Sequence, residues 1–122
     1  MTNFAPISAA PADAQARALL DEMMARVGVD GLAAALGDAG LLAQVDQHAA
    51  AVRDALHHAG REVDAEGLAS YAKSIAAAAV RMSRPLPEPG HAPLTGTAWL
   101  AAEWHLLRLV AVCLIAESAG LL

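Results

Sequence analysis

"WLAAEWHLLRLVAVCLIAE", Trp99–Glu117, decides the fold of this chain. Placed on a helical wheel, Leu106, Leu107, Leu109, Val110, Val112, Cys113, Leu114 and Ile115 cover almost the whole circumference. An amphipathic surface helix has one apolar stripe, whereas a helix that is apolar all round is buried on every side. This segment is therefore either the central helix of a bundle or a helix with one face on a second molecule. It is too rich in charge to cross a bilayer, since it carries Glu103, His105, Arg108 and Glu117.

The rest of the composition agrees with a helical reading. The chain has 122 residues, enough for one domain with a real core. Alanine supplies roughly a quarter of the residues, far above ordinary usage. It is the best helix former, while the aromatic residues that favour strands amount to 3%. The expected fold is all-α, a bundle of four to five helices around a hydrophobic C-terminal helix.

Working back from that helix, "RPLPEPGHAPLTG", residues 84–96, holds four prolines and two glycines and reads as an extended loop. Thr95 or Thr97 would cap the last helix, expected over Ala98–Ser118. Before the loop, Leu68, Tyr71, Ala72, Ile75, Ala79 and Met82 give helix three its inward stripe, with Asp64 as N-cap. Its outer face is also apolar, at Ala76, Ala77 and Val80. Helix two should run from an Asp38 cap to Ala59, closed by Gly60. A short turn to helix three makes the two antiparallel neighbours. "DGLAAALGDAG" reads as one or two turns of helix. Helix one has Ala16, Leu19, Leu20, Met23 and Val27 as its stripe, and Gly28 ends it. Residues 1–10 read as a loose arm, and residues 1–122 as a single domain.

Charge and motifs narrow the function classes. The formal charge is -5, and the eight basic residues are scattered singly from Arg17 to Arg108. Without a basic patch, nucleic-acid binding is disfavoured. The lone cysteine, Cys113, excludes an internal disulfide and sits in an apolar run, where it reads as an inert thiol. No signal-peptide pattern opens the chain, so a cytoplasmic location is the expectation. There is no GxGxxG, P-loop, HExxH, CxxC or GxSxG. No catalytic residue and no cofactor is assigned, and binding is favoured over catalysis.

Helix two concentrates histidine in "QVDQHAAAVRDALHHAG", Gln44–Gly60. A helical metal pair needs two ligands on one face, commonly at i and i+4. His48 and His57 are nine residues apart, which at about 100° per residue puts them on opposite faces. Asp54 and His58 have the right spacing but read as a surface ion pair at a helix C-terminus. No metal site is expected. His48 lies at the edge of the stripe Leu41, Val45, Ala49, Val52, Leu56 and Ala59. Glu103 falls on the apolar side of the last helix, with His48, Arg53, Lys73 or Arg108 as possible partners. Arg108, one turn after Trp104, is placed to stack on its indole.

"GLLAQVDQHAAAVRDAL", Gly40–Leu56, and the opening segment Trp99–Glu117 together resemble a family of small actinobacterial proteins. These carry a domain of unknown function and are labelled natural product biosynthesis proteins. The resemblance implies a place beside a secondary-metabolite pathway but no reaction. It adds weight to the polar residues of helix two, and suggests that His48, Arg53, Glu103 and Arg108 form one polar cluster between helices two and four.

Three readings follow. The first is a small accessory or regulatory protein acting by binding, as a homodimer or on a partner protein. Its contact surface would comprise Trp99, Leu106, Leu109 and Val112 of the last helix, with Ala77 and Val80 of helix three. The second is a small-molecule binder or enzyme with its pocket at the polar cluster. The third is a structural or toxin-neutralising partner of a protein encoded alongside.

Overall fold

The computed structural model describes the backbone of residues 5–88 and 103–122, and it is all helix and connection. Among the described residues four helices follow in order: α1 (Ala5–Gly37), α2 (Ala39–His58), α3 (Ala65–Arg81) and α4 (Trp104–Ser118). α1 breaks at Gly28, whose backbone lies at φ 80 and ψ 154, outside the helical region. The glycine thus ends the first limb as expected, and the short segment after it continues as a second limb to Gly37. The chain is already helical at Ala5, so residues 5–10 belong to α1 and not to a loose arm. Pro6 falls in the first turn, where a missing N–H breaks no hydrogen bond.

Caps set the other helix limits. The Asp38 side chain accepts from the Leu41 amide, and that of Asp64 from the Gly67 amide, each at 2.8 Å. At the far ends, three helices close with the same pair of backbone bonds. The Arg61 amide donates to the Leu56 carbonyl after α2, Arg84 to Ala79 after α3, and Leu121 to Ala116 after α4, each at 2.8 Å. The turn needs a residue at positive φ. Gly60 and Gly120 supply it after α2 and α4, but Ser83 does so after α3, at φ 58.

α4 is the central element. It packs against α1, α2 and α3, while α2 and α3 barely touch one another. The expected pairing of α2 with α3 is therefore replaced, because α4 lies between them. The physical reason is its apolar circumference: Leu109, Val110, Ala111 and Val112 have no exposed surface at all. Burying that whole surface requires a helix on each side. Stripes read from the other helices are buried in the same core: Leu20, Met23 and Val27 from α1, Val45, Val52 and Leu56 from α2, Leu68, Ala72 and Ile75 from α3.

Contacts at Leu86 and Pro87 tie the loop after α3 to the bundle. The Arg26 Nη1 donates to the Pro87 carbonyl at 2.9 Å, and Leu86 is buried. Residues 84–88 are non-helical as expected; the remainder of the proline-rich segment, with Thr95, Thr97 and Trp99, lies outside the described residues.

Candidate functional site

The helix start moves Glu103 out of the core. Its backbone is extended, at φ -128 and ψ 108, and it occupies the N-cap of α4 without capping it through its side chain. The carboxylate is partly exposed and accepts from Arg84 Nη1 at 3.0 and 3.1 Å. Arg84 was absent from the expected partners because it lies across the proline-rich segment. The Nδ1 of buried His105 approaches Glu103 Oε2 at 3.7 Å, too far for a hydrogen bond, and has no partner among the described residues.

Arg53 also leaves the expected cluster. It lies on the exposed face of α2. The remaining two members do meet: Arg108 Nε donates to His48 Nδ1 at 2.9 Å. A third group joins them that sequence reasoning had placed in the core. Arg108 Nη1 donates to the Tyr71 hydroxyl at 2.6 Å. Arg108 further sits over the Trp104 ring, 5.5 Å from its centroid. The arginine thus links α2, α3 and α4. His48, Tyr71 and Arg108 are each half-buried, and Trp104 keeps 46% of its surface exposed.

The electrostatics follow from this placement. His48 must be unprotonated at Nδ1 to accept from Arg108. Partial burial lowers its pKa from the ordinary 6.5, and the Arg108 charge lowers it further. Cys113 behaves oppositely: burial, helped by the charge of Glu117, pushes its thiol up to about 12. It is a core side chain with no nucleophilic character.

The proposed contact surface is corrected by the same geometry. Leu106, Leu109 and Val112 are buried within this chain's own core, so they cannot line an interface. Ala77 and Val80 do face outward, Val80 with 65% exposure, while Trp99 lies outside the described residues. On α2, His57 and His58 are exposed and meet edge to face. His58 Nδ1 bonds the Asp54 backbone carbonyl at 2.7 Å, in place of the expected carboxylate. Among the described residues no three metal-ligating side chains come together, and no helix is long and apolar enough to cross a membrane. An open groove of 320 Å³ runs between α1 and α3, floored by Ala16 and Ala69 and edged by Arg61, Glu66 and Lys73.

An all-helical core with a cross-braced arginine at its edge defines a small helical bundle protein. The chain belongs to a family of unknown function, DUF6401, whose model matches residues 40–122. That span holds α3, α4, all but the first residue of α2, and all four residues of the Arg108 site, while α1 precedes it. No curated protein and no solved structure matches the chain.

Proposed function

We propose that this protein is a small accessory or regulatory protein that works by binding another protein, through the surface around Trp104. The observation that carries the reading is the exposed Trp104 indole lying against Arg108, with Tyr71 bonded to the same guanidinium. Tryptophan, tyrosine and arginine are the residue types that dominate binding energy at protein interfaces. Here all three are held in place before any partner arrives, which lowers the entropy lost on association. The resemblance to natural product biosynthesis proteins supports a partner in a secondary-metabolite pathway, in the cytoplasm of an actinobacterium.

Homodimerisation through the last helix loses its basis, because the leucines that would drive it are internal. The test is cross-linking of the tagged chain in its native host, comparing the wild type with Trp104→Ala. Loss of a hot-spot tryptophan weakens binding by roughly 30-fold or more. A defined partner captured by the wild type and lost from the variant supports the reading. Equal capture by both, with the variant folded, overturns it.

A further inference from the structure

The three other arginines with described ion pairs each meet a carboxylate: Arg17 with Asp13, Arg26 with Glu22, Arg84 with Glu103. Arg53, Arg61 and Arg81 are exposed to water. Arg108 differs from both groups. It is half-buried, yet among the described residues its hydrogen-bond acceptors are the neutral imidazole of His48 and the neutral hydroxyl of Tyr71. Neither offsets its charge. A cation drawn partly out of water is costly unless a counter-charge compensates it.

The bonds also leave a specific part of the guanidinium open. His48 takes the Nε–H and Tyr71 takes one hydrogen of Nη1. The Nη2 amino group has no hydrogen-bond partner among the described residues. Because Nε and Nη1 are anchored, the plane of the fork is fixed, and Trp104 forms a flat apolar wall beside it. A charged N–H donor held in a fixed plane next to an aromatic surface suits a carboxylate attached to an apolar stem.

We propose that Arg108 is a carboxylate receptor, and that the carboxylate is a glutamate or aspartate side chain of the docking partner, its methylene stem lying on the Trp104 indole. This rests on the docking role proposed above for the Trp104 surface. The chain's net charge of -5 repels an acidic partner at long range. That repulsion is screened beyond about 8 Å at physiological salt, so the contact pair decides the affinity.

The test uses the full chain and benzoate as the probe, a carboxylate with a flat apolar body, at constant ionic strength. Side-chain NMR signals of the Trp104 indole N–H, the Arg108 Nε–H and the His48 imidazole report occupancy. The expected result is saturable shifts at these three groups, with affinity about tenfold weaker or worse in Arg108→Gln. Arg108→Lys keeps the charge but lacks a planar donor group anchored by His48 and Tyr71, and should also bind more weakly. It guards against a folding defect peculiar to the glutamine variant, and amide spectra verify both folds.

Absence of saturation overturns the proposal, as does equal binding by folded Arg108→Gln. Equal saturation by inorganic phosphate would show a general anion site and overturn the carboxylate assignment. If benzoate binds but Arg108→Gln still captures the partner fully, the protein source of the carboxylate is wrong. The docking reading then stands or falls separately, on Trp104→Ala.

Discussion

Residues Trp104–Arg108 and Leu109–Cys113 are consecutive stretches of one helix, and the bundle treats them in opposite ways. The second stretch is sealed: each of its five side chains is at most 1% exposed. The first is a mixture, in which His105, Leu106 and Leu107 turn inward while Trp104 and Arg108 reach the rim. In the sealed stretch every apolar atom has been removed from water, and nothing further can be gained there by binding. At the rim an aromatic surface remains wet and a positive charge is held by neutral groups. The difference teaches where binding energy is still available. Stability and binding should therefore separate along α4, and substitutions can test that separation.

The largest expected effect is on Cys113. A folded domain with ordinary stability of 5 kcal/mol or more opens less than about once in a thousand molecules. Alkylation by iodoacetamide at pH 8 should be slowed by that factor or more, measured against the chain in denaturant. Rapid labelling of the native protein would show that the stretch is not sealed. Leu109→Ala comes next. Truncating a fully buried leucine costs about 2–5 kcal/mol, read as a lower guanidinium midpoint with partner binding unchanged once folding is restored.

At the rim the ranking reverses. Arg108→Ala removes two hydrogen bonds and the indole contact from a half-buried position, and should cost about 1–2 kcal/mol of stability. Its effect on partner capture should match that of Trp104→Ala. A loss of stability as large as that of Leu109→Ala would make Arg108 a structural brace first. Ser83→Gly acts smaller still and in the other direction. A non-glycine residue in the left-handed region is strained, so glycine there should raise stability by up to about 1 kcal/mol. Unchanged or lower stability by denaturant titration would mean that the turn after α3 carries no strain.

The smallest effect is the pH dependence of the His48 contact. Its folded-state pKa lies below the ordinary 6.5, so the unfolded chain takes up this proton first as pH falls. The contribution is complete above 6.5 and is lost as pH drops through the window down to the lowered value. Water screens a half-buried group, which keeps the change small. His48→Asn keeps an acceptor near the Nδ1 position without titrating there. Denaturant midpoints of wild type and variant should diverge slightly below pH 6.5, with the wild type losing more. Parallel curves would place the proton elsewhere.

Much of the fold was legible because its signals are local. Asp38 and Asp64 cap helices by bonding amides three residues on, and Gly28 and Gly60 break or close them within one turn. The stripes of α1, α2 and α3 were readable through most of their length, since the helical period places their members on one face; the expected end members Ala59 and Met82 are instead exposed C-cap residues. Half of the candidate site was legible too: His48 at a stripe edge, and Arg108 one turn from Trp104. Its other half was not. Tyr71 fitted the inward stripe of α3 as an aromatic core residue, and nothing in its neighbourhood indicates that its hydroxyl would meet an arginine 37 residues away.

What the sequence by itself determined is therefore the all-helical class, most helix ends, the buried faces, and the family to which residues 40–122 belong. Each depends on residues within a few turns of one another, or on a pattern of residue types along the chain. Only the tertiary structure decided that α4 separates α2 from α3, that Glu103 pairs with Arg84, and that Leu106, Leu109 and Val112 are core and not interface. These depend on which helix lies beside which. That choice is made by burying the apolar circumference of α4, a nondirectional force that names no partner in advance.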